Sequence, residues 1–115
     1  MANGVTDKAI QQLFCDGVKI VKLWENASPN SAFQNQTVSL NIAKYNFVMV
    51  LFRLDRDGRV VGPSIVPIGR PAVNNSKGYD RYFIVRETGI EFDDSSSPSA
   101  IIPAKIFGIK LLGGV

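Results

Sequence analysis

"NFVMVLFRL", residues Asn46–Leu54, is the stretch on which the fold turns. Successive side chains of a β-strand point to opposite faces. Phe47, Met49 and Leu51 therefore share one face, and Val48, Val50, Phe52 and Leu54 share the other. Both faces are apolar until Arg53. A strand in a small two-sheet domain ordinarily keeps one wet face, so this segment needs two dry neighbours. An opposing sheet supplies one. The other is an N-terminal helix or a second subunit, and self-association is the favoured expectation, because a bare apolar patch of several hundred Å² is unusual on a monomer.

The flanks of this strand carry turn chemistry. Asp55-Arg56-Asp57-Gly58 follows it, and Asp-Gly tolerates the positive φ of a tight hairpin. A return strand is expected from Arg59 to about Val66. Upstream, Val38–Ile42 alternates cleanly, with Val38, Leu40 and Ile42 inward and Ser39 and Asn41 outward. Val18–Trp24 is a strand with apolar residues on both faces. Downstream, Gly69–Gly78 holds two turn-type clusters, around Arg70-Pro71 and Asn74-Asn75-Ser76. Arg81–Glu87 is a strand, Thr88-Gly89 a tight turn, and Ile90–Asp93 the return. Asp93–Ser99 is a Ser-rich loop, and Pro103–Leu112 is the last strand. Seven short strands separated by turns predict an all-β protein: an antiparallel β-sandwich or jelly-roll-like domain over residues 18–115. Before it, residues 1–17 form an arm with one short helix. Thr6 is its N-cap, and Ile10, Leu13 and Phe14 make a narrow apolar stripe at i, i+3 and i+4.

Size and charge narrow the function. A chain of 115 residues makes one domain that buries roughly two-thirds of its unfolded surface. Thirteen basic and ten acidic residues give a net charge of +3, with no basic stripe to follow a phosphate backbone, so no nucleic-acid partner is expected. The longest apolar run is too short to span a bilayer, and no membrane partner is expected. The opening MANGVTDKAIQQLF lacks the basic start and apolar block of a secretory signal. Glycosylation-type triplets at Asn26, Asn35 and Asn74 are then chance matches.

The strongest chemical statement is that histidine is missing from the whole sequence. That removes the Ser–His–Asp triad, the Cys–His pair and the His-ligated zinc site. The lone Cys15 has no imidazole to activate it and is expected to be a small buried apolar residue. Asp55/Asp57 and Asp93/Asp94 sit in turns, where carboxylates accept backbone N–H bonds. The calcium-loop pattern fails, since the loop from Asp55 has Gly58 fourth and Val66 twelfth. No catalytic residue, metal or cofactor is expected. Flat rings remain: Trp24, Tyr45, Tyr79 and Tyr82, with Asn26, either build a platform for a glycan or pack the core and rim.

Two segments in order carry a resemblance. One runs through Leu23, Trp24, Asn26, Pro29, Phe33, Gln36, Thr37, Val38, Tyr45 and Asn46. The other is Ile102, Pro103, Ile106, Phe107, Gly108, Ile109 and Lys110. Together they resemble a module of tailed-bacteriophage and prophage virion proteins, of the tail-fibre, baseplate or capsid-appendage type. The resemblance spans most of Val18–Leu112 on a loose motif. It implies a non-enzymatic virion protein, made in the host cytoplasm, that attaches to other virion proteins or to a host-surface glycan. It also implies a homo-oligomer, with a trimer as the first expectation. The interface would be one face of the central strand, either Phe47, Met49 and Leu51 or Val48, Val50 and Phe52.

Overall fold

The computed structural model describes residues 17–54, 59–76, 79–93 and 100–111. They form eight strands and no helix: β1 (Val18–Glu25), β2 (Gln36–Ser39), β3 (Phe47–Leu54), β4 (Val60–Pro67), β5 (Pro71–Ser76), β6 (Tyr79–Arg86), β7 (Gly89–Phe92) and β8 (Ile101–Leu111). The helix expected before Gly17, Cys15, the tip of the Asp55–Gly58 hairpin and Asp94 lie outside the described residues. The all-β expectation holds. Two antiparallel sheets form, sheet A in the order β1-β8-β3-β4 and sheet B in the order β2-β7-β6-β5.

One core lies between the sheets. From sheet A it takes Val48, Val50, Phe52, Leu54, Val66, Ile101, Ile102 and Ile106, and from sheet B Val38, Phe83, Val85, Ile90 and Phe92. The Phe52 ring meets Phe83 at 5.6 Å and Phe92 at 6.4 Å between centroids, within the range of favourable tilted and edge-to-face aromatic pairs. Val48, Val50 and Phe52 are thus fully buried against the opposing sheet. Of the two alternative faces, this is the one that meets the opposing sheet: it is closed within the chain, because the residues of β6 and β7 fill the space in front of it.

The other face of β3 belongs to a second apolar cluster. Met49 is buried there with Ile20, Phe107 and Ile109, and Val18, Phe47 and Leu51 pack around them half-buried. Register explains the grouping, since Met49 stands opposite Phe107, and Ile109 stands between Phe47 and Ile20.

Eight strands replace the expected seven because Pro71–Ser76 is a strand rather than a pair of turns. It pairs with β6 from Pro71↔Ile84 to Ser76↔Tyr79. Proline is tolerated there because β5 is an edge strand, with one side of its backbone outside the ladder. The hairpin after Leu54 forms as expected, and the Leu54 N–H donates to the Arg59 carbonyl at 2.8 Å. The alternation of Val38–Ile42 also holds, but β2 stops at Ser39. Leu40 and Ile42 then donate to the Thr88 and Glu87 carbonyls and wrap the β6–β7 turn. Gly89 begins β7 at φ 149°, and a Cβ there would lie 2.2 Å from the Val38 carbonyl oxygen, so the approach of β2 requires glycine.

Arg81 is the largest fully buried side chain among the described residues. Its guanidinium donates to the carbonyls of Ile101 (3.1 Å), Asp93 (3.3 Å) and Phe33 (2.7 Å) and lies over the Phe33 ring, 5.8 Å from its centroid. One planar cation thus holds the β1–β2 connection, the end of β7 and the start of β8 together, a use that suits the fixed fork of arginine.

Candidate interaction surface

β4 is one edge of sheet A and β5 one edge of sheet B, and the two lie next to each other. The link between them is pinned from within. Ile68 N–H donates to the Asn46 carbonyl, Gly69 N–H to Val85, and Val85 N–H to Arg70. Gly69 has φ 93°, the left-handed conformation that glycine adopts without strain. Across the two edges the Asn74 side chain donates to Ser64 Oγ at 3.3 Å. With Ala72 and Asn74 turned inward, Pro71, Val73 and Asn75 face out.

Exposed apolar side chains lie on these edges but face two ways: Ile65, opposite Met49, is on the outer face of sheet A, and Val73, opposite Tyr82, is on the outer face of sheet B. Five large hydrophobic side chains stand exposed among the described residues, and four of them are Val60 (59% exposed), Ile65, Val73 and Tyr82 (47% each). Val60 and Ile65 lie on β4, and Val73 on β5 stands directly opposite Tyr82 on β6. A shallow depression of about 280 Å³ beside Tyr82 is lined by Pro71, Ile84, Glu91 and Asp93 with it. Its borders are polar: Asn75 donates to Asp80, and Arg86 is ion-paired with Glu91 at 3.2 Å. On the outer face of sheet B, Val73 and Tyr82 thus stand within a polar rim, the layout of a contact surface.

The expected aromatic platform does not gather here. Tyr82 alone of its members is exposed. Trp24 packs edge-on against Phe33, with centroids 6.1 Å apart. A register shift between Lys22 and Trp24 explains this, because one extra residue turns Leu23 and Trp24 both toward the core. Tyr45 is buried over Gly108, and Tyr79 is packed against the core. Asn26 is spent on the backbone: its amide donates to the Pro103 carbonyl at 2.8 Å and its oxygen accepts from the Ser28 N–H.

Those placements give the motif residues structural tasks. Asn26 ties the β1 end to the Pro103–Ala104 bend of β8, and Asn46 accepts from the Leu111 N–H at 2.8 Å. Phe33 and Val38 enter the inter-sheet core with Ile102 and Ile106. Among the described residues no three of His, Cys, Asp and Glu come together as a metal site would need. Compared with protein-family models, with curated proteins and with solved structures, the chain matches none.

Proposed function

We propose that this chain is a β-sandwich, jelly-roll-like structural protein of a virion, a capsid decoration or tail and fibre component of the tailed-bacteriophage kind, and that it works by assembly rather than catalysis. The observation that carries the assembly reading is the placement of four exposed apolar side chains, Val60, Ile65, Val73 and Tyr82, on two adjacent edge strands and the strand next to them. Exposed edges carrying apolar side chains invite pairing, and a closed oligomer uses them up. A homotrimer with further contacts to other virion proteins fits this reading, with the β4–β5 side as the contact surface in place of β3. The virion assignment rests on the resemblance of the Leu23–Asn46 and Ile102–Lys110 segments. Its test is mass spectrometry of purified particles from a culture that encodes the chain. The reading expects the chain in stoichiometric amounts within washed particles, and its absence from them contradicts it.

A second reading, a glycan-binding or host-receptor-binding module, is favoured by one observation. Tyr82 stands exposed at a depression that also holds Glu91 and Asp93, and a flat ring beside carboxylate acceptors suits a sugar face and its hydroxyls. A glycan array separates the two. Signal that disappears in Tyr82→Ala supports the second reading, and a blank array supports assembly alone.

A further inference from the structure

We propose that β5 of one subunit pairs with β2 of the next copy of this chain, so that sheet B continues from subunit to subunit as one antiparallel sheet. The inference rests on the proposed self-assembly and names its seam. Of the four sheet edges, those of sheet A are guarded in the ways that edge strands commonly are. β4 carries Pro63 and Pro67, and its register shifts between Val61 and Ser64. β1 carries Lys19 and Lys22, and its register shifts between Lys22 and Trp24. The edges of sheet B lack these guards. Gln36-Thr37-Val38-Ser39 and Ala72-Val73-Asn74-Asn75-Ser76 hold no charged residue and no proline, and both ladders run without a register shift. Pro71 stands only at the first position of β5.

Ladder parity shows which backbone groups these two edges present. Neighbouring residues of an antiparallel strand bond alternately to one side and the other. Asp93 N–H donates to the Tyr82 carbonyl, and Val85 N–H donates to Arg70. Tyr82 and Ile84 therefore bond toward β7, whereas Arg81, Phe83 and Val85 bond toward β5. In β5 the partners of Arg81 and Phe83 are Asn74 and Ala72, which leaves the N–H and C=O of Val73 and Asn75 pointing off the edge. On the other edge Leu40 N–H donates to Thr88. That parity puts the bonds of Val38 on Ile90 and those of Gln36 on Phe92, and Thr37 and Ser39 point off the edge. Among the described residues no turn or loop backbone bond uses Val73, Asn75, Thr37 or Ser39, and the side chains of all of them are exposed.

The two edges fit each other. Sheet B has four antiparallel strands, so its outer strands β2 and β5 run in opposite directions. Rotation about an axis along the strands keeps those directions, and it brings β5 antiparallel to the partner's β2. With Val73 opposite the partner's Ser39, Asn75 falls opposite the partner's Thr37. Each pair then exchanges both of its N–H···O bonds, so every outward donor and acceptor of these residues is met. Asn74 stands opposite the partner's Val38, and both belong to the inner face of their sheets. The contact sets one edge against a different edge, a heterologous interface that makes a ring where the rotation closes. Pairing of β5 with β5 would leave β2 bare.

The experiment is disulfide trapping in the full-length chain carrying Cys15→Ser. A hydrogen-bonded antiparallel pair has its Cα atoms about 5.5 Å apart, inside the range of about 4.4–6.8 Å that a disulfide spans. Chains with Thr37→Cys and chains with Asn75→Cys are mixed in equal amounts, oxidised, and read by non-reducing electrophoresis and peptide mass. A dimer joining one chain of each kind, in large excess over the dimers either chain forms alone, is the expected result. A dimer formed chiefly between two Asn75→Cys chains overturns the proposal. So does the absence of cross-links in chains that sediment as oligomers, and the assembly reading then survives with another seam. Chains that sediment as monomers overturn both. Amide exchange gives a second readout without cysteines. The amides of Thr37, Ser39 and Asn75 should exchange at least about tenfold more slowly in the wild-type oligomer than in a monomeric Ile65→Lys/Val73→Lys variant, and equal rates overturn the seam.

Discussion

The ring of Tyr45 lies flat against Gly108, so close that a Cβ on that glycine would come within 2.8 Å of the ring carbons. Glycine inside a strand ordinarily weakens it, and here the missing side chain is replaced by the aromatic ring. The pairing is conditional on both partners. Gly108→Ala is expected to cost about 1–3 kcal/mol through overpacking, and Tyr45→Ala about 3 kcal/mol through the cavity it leaves. In the double variant the alanine methyl enters the space the ring vacated. Urea denaturation should therefore show a double-variant loss smaller than the sum of the two singles, and strict additivity would refute the pairing.

Arg81 makes a sharper prediction. Arg81→Met keeps the length of the stem and leaves the carbonyls of Phe33, Asp93 and Ile101 without their donor. Buried acceptors without partners cost about 1–3 kcal/mol each, so a total loss of about 3–5 kcal/mol is expected once partial relaxation is allowed. Arg81→Lys should recover only a minor part, because an ammonium is a point donor and cannot reach three divergent carbonyls. Equal stability of the Lys variant and the wild type, by denaturant midpoint, would contradict the clamp.

Hydrogen exchange should follow the sheet order. β8 is bonded on both sides, to β1 and β3, whereas β5 is bonded only to β6. In the monomeric Ile65→Lys/Val73→Lys variant, amides of Ile106–Ile109 are expected to exchange slowest, and those of Pro71–Ser76 that point away from β6 to exchange among the fastest of the strand residues. Uniform protection across both strands in that variant would contradict the sheet order.

The sequence made much of this legible where pattern and burial agree. The alternation at Val38–Ile42 reported faces directly, because side-chain period is a local property, and the antiparallel pairing of β3 with β4 agrees with the hairpin expected between them. β5 was hidden for an equally physical reason. Pro71, Asn74, Asn75 and Ser76 have turn propensity, and only the register against β6 overrides it. The bulge at Leu23–Trp24 cannot be foreseen from a period of two, so the inward turn of Trp24 was not legible. Arg81 sits at an alternating position of β6 beside Phe83 and Val85, but a charged residue there is ordinarily assigned to solvent. The exposure of Val73 was missed for the same reason as β5, since it follows from a strand the composition disguises.

Val60, Ile65, Val73 and Tyr82 carry the proposed assembly, and sedimentation velocity tests it most directly. The purified full-length chain should sediment as a closed oligomer in the micromolar range, with three chains the first expectation. An Ile65→Lys/Val73→Lys variant should sediment as a folded monomer, because both substitutions are at exposed positions and place charge on each of the two edge strands, β4 and β5. A wild-type chain that remains monomeric throughout that range, or a double variant that keeps the wild-type oligomer, would contradict the account.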